Sequence, residues 1–189
     1  NDPAGAIAEL QVAIRLNPYF SEAHLTLAQA LQKAGRTEEA QKEREEGQRI
    51  DKLRGSVGRA MVLVQSAVES RAKQDPNVAL TALREAISLN PDFAEAHYQL
   101  ALTLRETSGD RAEIESALQH VLEINPNHPG ANYQLGLSMQ SRGLASLAQI
   151  RFRRAVELSP GLVEARVALG ESAIQLGDWK TATEEYSAA

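Results

Sequence analysis

Residues Pro129–Pro160 read PGANYQLGLSMQSRGLASLAQIRFRRAVELSP, and the architecture is written in this stretch. Apolar and small residues recur at three- and four-residue spacing up to Arg142. Gly143 then interrupts, and the same spacing resumes from Ala145 through Ala148, Phe152, Ala155, Val156 and Leu158. That period belongs to an amphipathic helix. A glycine just past a helix end supplies the left-handed residue a C-terminal cap requires, and Pro160 blocks continuation. The stretch therefore predicts two helices, over 129–142 and 145–158. No segment alternates with period two, so no strand is expected.

The phrase that ends this stretch recurs along the chain. Leu16-Asn17-Pro18, Leu89-Asn90-Pro91, Ile124-Asn125-Pro126 and Leu158-Ser159-Pro160 place their prolines 73, 35 and 34 residues apart. Gly136 and Gly170, and Gly143 and Gly177, keep a spacing of 34. Residues 1–31 set against 74–104 share 16 identities, among them Asp2/Asp75, Pro3/Pro76, Phe20/Phe93 and His24/His97. A fixed period of this length marks stacked repeats, each burying its apolar face on the next.

The repeat resembles the tetratricopeptide repeat. The slots that carry the likeness are Asn132, Leu135, Gly136, Met139, Ala148, Phe152, Ala155 and Pro160. Arg166, Leu169, Gly170, Ala173, Gly177-Asp178-Trp179, Ala182 and Tyr186 come one period later. His97, Leu100, Ala101, Leu104, Ile114, Leu118, Val121 and Pro126 precede. The resemblance implies an all-α, right-handed α-solenoid of antiparallel helix pairs, about 5.5 repeats over residues 1–189. The expected division is a half repeat at 1–18, a degenerate one at 19–54, repeats at 55–91, 92–126 and 127–160, and a truncated one at 161–189. Small residues at Ala101, Gly136, Gly170, Ala148, Ala155 and Ala182 are expected where two helices cross closely.

Two departures stand out. The large-aromatic slot of the first helix holds His24, His97, Asn132 and Arg166. Between Gly35 and Arg54 the pattern degenerates: Arg44 and Gly47 fill slots where a large apolar residue and alanine are expected. Residues 36–54 carry six basic and six acidic side chains. The expectation is a polar second helix leading into a kinked connector near 44–58, or else a solvated helix inside a regular stack. Both ends cut through a repeat, which reads as an excerpt of a longer or processed chain.

Composition agrees with helices packed closely: 30 alanines, 4% aromatics and no cysteine. Without cysteine there are no disulfides, thiolate metal sites or cysteine nucleophiles. The longest apolar run, Ala60–Val64, is far short of the ~20 residues of a membrane span. A net charge of −5 argues against a general nucleic-acid binder. Arginine outnumbers lysine fifteen to five, which with the alanine content points to a bacterial source; cytoplasm, periplasm and exterior stay open. No phosphate loop, dinucleotide turn, zinc helix or EF-hand occurs. His24 and His97 sit in core-facing register, and His120 and His128 lack a third ligand. Arg151, Arg153 and Arg154, with Arg142, read as a solvated outer face. No catalytic residue, metal or cofactor is expected.

What remains is a groove. Tetratricopeptide proteins commonly bind peptides or protein segments on the face lined by their first helices. The resemblance places Tyr98, Leu102 and Arg105 there, then Tyr133 and Leu137, then Glu171, with Gln99 and Gln134 beside them. The two tyrosines either line that groove or pack on the adjacent repeat. The Lys/Asn set with which family members clamp a C-terminal carboxylate is missing. The implied function is a non-catalytic scaffold for a peptide or protein. Two other readings are a substrate-recruiting arm of a larger enzyme, since Pro91–Tyr98 looks like protein O-GlcNAc transferase repeats, and a subunit of an open assembly or filament that self-associates through uncapped ends.

Overall fold

The computed structural model describes residues 3–189; Asp2, the sequence counterpart of Asp75, lies outside them. Ten helices and no strand are found among the described residues. They are α1 (Pro3–Leu16), α2 (Ser21–Lys33), α3 (Thr37–Ala72), α4 (Pro76–Leu89), α5 (Ala94–Glu106), α6 (Arg111–Ile124), α7 (Pro129–Ser141), α8 (Ala145–Leu158), α9 (Val163–Gln175) and α10 (Trp179–Ala188). The chain forms two compact units, Asn1–Arg59 and Ala60–Ala189.

One rule ends every first helix. Gly35, Gly143 and Gly177 have φ of 75°, 73° and 76°, and Gln74 and Ser108 hold the same left-handed conformation at 63° and 54°. The amide after each of them donates to the carbonyl five residues earlier: Arg36 to Leu31, Asp75 to Ser70, Gly109 to Leu104, Leu144 to Met139 and Asp178 to Ala173. This is the glycine-type helix stop. Aspartates then open three of the second helices. Asp75, Asp110 and Asp178 accept from the backbone amides of Val78, Ala112 and Thr181. Second helices end at the proline phrase, where the amides of Phe20, Phe93, His128 and Leu162 close tight turns on the carbonyls of Asn17, Asn90, Asn125 and Ser159.

In the first unit, Ile7, Leu27, Leu31 and Ala40 form the core, with Leu10, Ile14 and Ala30 around it. Gly47 is buried, and a Cβ there would lie 2.8 Å from the Leu25 side chain. The degenerate slot is thus a close crossing between α2 and α3, and glycine allows it.

In the second unit one apolar cluster runs from Ala60, Val64 and Ala67 through Leu83, Leu100, Leu104, Leu118 and Val121 to Leu135. Another gathers Ala148, Phe152, Ala155, Val156, Ala165, Ala168 and Leu169. A Cβ on Gly136 would meet the Phe152 ring at 2.4 Å, and one on Gly170 would meet Tyr186 at 3.1 Å. The small first-helix residue makes room for an aromatic ring from the second helix. Burying such a ring stabilises the pair by roughly 1.5–3 kcal/mol.

Residues 44–58, for which a kinked connector and a solvated helix were both open, lie inside one helix. The chain is helical without a break from Thr37 to Ala72. No proline interrupts it, and Gly55 and Gly58 each cost only about 1 kcal/mol in a helix. Arg49–Glu46 and Arg54–Asp51 ion pairs at i, i+3 add support. Elsewhere four residues, such as 90–93, separate a second helix from the next first helix. Five more residues without proline let that link wind into helix.

The polar slot of the first helix has a consistent role. Six residues before it stands a proline whose carbonyl is exposed by the turn. His24 Nε2 contacts the Pro18 oxygen at 3.1 Å, His97 Nε2 the Pro91 oxygen at 2.7 Å, and Arg166 Nε donates to the Pro160 oxygen at 2.8 Å. A partner nineteen residues further on takes the other end: His24–Glu43 at 2.7 Å, Asn132–Arg151 at 3.3 Å and Arg166–Glu185 at 2.9 Å. Asn132 is too short for its proline and donates to the His128 carbonyl instead. An apolar aromatic would leave that turn carbonyl without a side-chain partner; His24 and Arg166 pair it and tie both helices of the repeat, His97 pairs it, and Asn132 makes only the tie.

Candidate functional site

The first helices of the second unit, α5, α7 and α9, carry the candidate groove residues. Their periodic spacing puts Leu100, Leu104, Leu135 and Leu169 in the core, while Leu102, Arg105 and Leu137 keep part of their surface exposed. Tyr98 is half-buried. Its ring lies 4.6 Å from the His128 ring, and a Cβ on Gly130 would fall 2.4 Å from its hydroxyl. Gly130 is therefore the clearance that lets Tyr98 lie on the start of α7. Tyr133 is also half-buried, 5.9 Å from Phe152. Both tyrosines spend much of their surface on packing against neighbouring helices. Burial raises both phenols above their usual range, and the charge of Arg105 pulls both back.

Polar rungs join successive first helices. Arg71, at the end of α3, donates to Gln99 Oε1 at 2.7 Å and pairs with Glu106 at 3.5 Å; Gln99 in turn donates to Glu95. One repeat on, Arg105 donates to Gln134 Oε1. Gln134 is buried while Arg105 is exposed. Leu102 and Leu137 are half-exposed, and Glu171 is exposed on α9. After burial, the charge of Arg105 favours ionisation of the Tyr133 phenol, and those of Glu164 and Glu171 oppose it.

Three of these residues share a cavity. A hollow of about 420 Å³ is lined by Arg105, Gln134 and Leu137 with Ser108, Gly109, Arg111, Ile114, Ser138 and Ser141. It opens where α5 turns into α6 beside α7. The residues that sequence reasoning did not single out are Ser108, Gly109, Arg111, Ser138 and Ser141. Only Arg111 carried a signal, as a cation beside a turn. Tyr98, Gln99, Leu102, Tyr133 and Glu171 lie outside this hollow.

A second cleft of about 500 Å³ lies between α4 and α6, with Leu100, Ala117 and Ile87 among its lining residues. His97 and His120 meet there edge to face at 4.4 Å, and both contact the Pro91 carbonyl. Burial, more than the neighbouring His120, lowers the His97 imidazole below its ordinary value; burial lowers His128 too. No group of three or more histidine and acidic side chains among the described residues could hold a metal ion. The basic cluster is largely engaged: Arg151 with Asn132, Arg154 with Glu157 and Asn127, and Arg142 with Glu115. No described helix is long and apolar enough to cross a membrane.

Helix pairs of fixed period, each stopped by a left-handed residue and restarted after a short turn, define an all-α solenoid. Sequence profiles of the tetratricopeptide repeat family match residues 1–52, 71–107 and 94–128, and the chain is a tetratricopeptide repeat protein. No curated protein sequence matches it. Among solved structures, it is similar to MamA from Desulfovibrio magneticus RS-1, at 22% identity and TM-score 0.59, covering 88% of this chain and 91% of that one. It is similar to the first repeat domain of Spaghetti (RPAP3) bound to the HSP90 peptide SRMEEVD, at 17% identity and TM-score 0.60, covering 64% and 95%. It is also similar to Thermobaculum terrenum O-GlcNAc transferase, at 20% identity and TM-score 0.57, covering 62% of this chain and 22% of that one. At these identities the likeness is one of fold.

Proposed function

We propose that the chain is a non-catalytic interaction module that receives a peptide or protein segment along α5, α7 and α9. The observation that carries this reading is the outward face of α5 and α7. It combines half-exposed Leu102 and Leu137, the Arg105–Gln134 rung and an open cavity beside them. Repeat proteins of this kind use such extended faces for binding. The peptide bound by the Spaghetti domain is consistent with it. Aliphatics supply contact area, and the exposed Arg105 supplies hydrogen bonds to a peptide. The reading assigns no catalytic residue, no metal and no cofactor, and it favours an internal segment over a clamped C-terminus.

The test is a display library of random twelve-residue peptides, selected on the wild-type chain and counter-screened on Leu102→Glu. Peptides retained by the wild type and lost on the variant, with equal helicity by circular dichroism, are expected. Retention that ignores the substitution would refute the reading.

A further inference from the structure

Resting on that reading, we propose that the cavity at the α5–α6 turn is a subsite for an acidic side chain, Asp or Glu, of the bound segment. Two cations line it, Arg105 and Arg111, and no carboxylate does. Neither arginine forms an ion pair with a described residue, whereas Arg71 and Arg142 nearby hold Glu106 and Glu115. Among the described residues Arg105 donates to a neutral amide, that of Gln134, so its charge is uncompensated. Two acids at the start of α6 are already engaged. Asp110 caps α6 through Ala112, and Glu115 accepts from Ser138 and faces Arg142.

The rest of the lining suits a carboxylate. Ser108 brings a hydroxyl, since those of Ser138 and Ser141 already donate to Glu115 and to the Ser138 carbonyl, while Ile114 and Leu137 form an apolar wall for a methylene stem. Two guanidinium groups converging on one carboxylate give the strong, charge-assisted form of the hydrogen bond. Ser108 also occupies the left-handed position that Gly35, Gly143 and Gly177 fill elsewhere. At that position a side chain costs roughly 1–2 kcal/mol against glycine.

The test uses synthetic twelve-residue peptides from the selected pool, acetylated and amidated, each made with Glu, Gln or Lys at one scanned position. Fluorescence anisotropy reads their binding to the wild type, to Arg111→Gln and to Arg105→Gln. The wild type should prefer one Glu position over Gln by about tenfold, the worth of a charge-assisted bond. That preference should vanish in Arg111→Gln while the Gln peptide binds unchanged. Equal binding of Glu and Gln peptides, or a preference that survives both substitutions, would overturn the subsite and leave the groove reading standing. Matched peptides left with a free C-terminus are run beside the amidated set, and a preference confined to them would overturn the subsite in favour of a terminal carboxylate. Failure of every peptide to bind would overturn the groove reading and the subsite together.

Discussion

The segments α1–α2 and α4–α5 are near twins in sequence, yet each is packed against a different next helix. Leu16-Asn17-Pro18 matches Leu89-Asn90-Pro91, and Phe20, His24 and Leu27 match Phe93, His97 and Leu100. Both histidines reach the same turn carbonyl. After α2, helix α3 brings Glu43 to His24, and the imidazole is buried with an oxygen at each ring nitrogen. After α5, helix α6 has Ser116 at the matching place, and His97 meets the His120 ring beside an open cleft. The stop residue differs as well, Gly35 in one and Ser108 in the other. Local sequence sets the helices and turns; the next helix decides whether the same histidine is a closed clamp or the wall of a hollow.

Breaking the shared part should cost most. Leu27→Ala and Leu100→Ala each remove a buried leucine and are expected to destabilise by about 2–5 kcal/mol. Hydrogen exchange should show the loss in residues 3–59 for the first and in 60–189 for the second. Gly136→Ala, which drives a Cβ into Phe152, should cost about 1–3 kcal/mol in chemical denaturation. His24→Ala removes two hydrogen bonds against one for His97→Ala, so its loss should be about twice as large, at roughly 1 kcal/mol per bond. The stop residues should respond with opposite signs. Ser108→Gly should stabilise by about 1 kcal/mol, and Gly35→Ala should destabilise by about the same.

The smallest effect is a pH dependence of the second unit. His97 and His128 are held below the ordinary imidazole value by burial, so the unfolded chain binds their protons more readily. Stability present above about pH 6.5 should therefore fall as the pH drops through the depressed values. Denaturation midpoints measured from pH 8 to 5 should decline, and His97→Gln with His128→Asn should flatten the decline.

Most of the fold was legible because its signals are local. Gly143 and Pro160 bracket α8, and the 34-residue period repeats that bracket along the chain. The unbroken α3 was legible only as one of two readings, since Gly55 and Gly58 look like breakers and only the absence of proline says otherwise. The outward stripe of α5 and α7 came from helical register. The cavity did not, because it needs Arg105 and Gln134, 29 residues apart, brought together with a turn. Ser108 hid for another reason: Gly109, next to it, is the residue that glycine's usual role would place in the left-handed position.

The groove and its subsite are tested most directly by amide chemical-shift mapping of the isotope-labelled chain as a selected peptide is added. Shifts should cluster on residues 98–111 and 133–141, with the α4–α6 cleft around Arg84, Gln119 and Glu123 silent. Shifts centred on that cleft, with Leu102, Arg105 and Leu137 unmoved, would place the partner elsewhere and refute both.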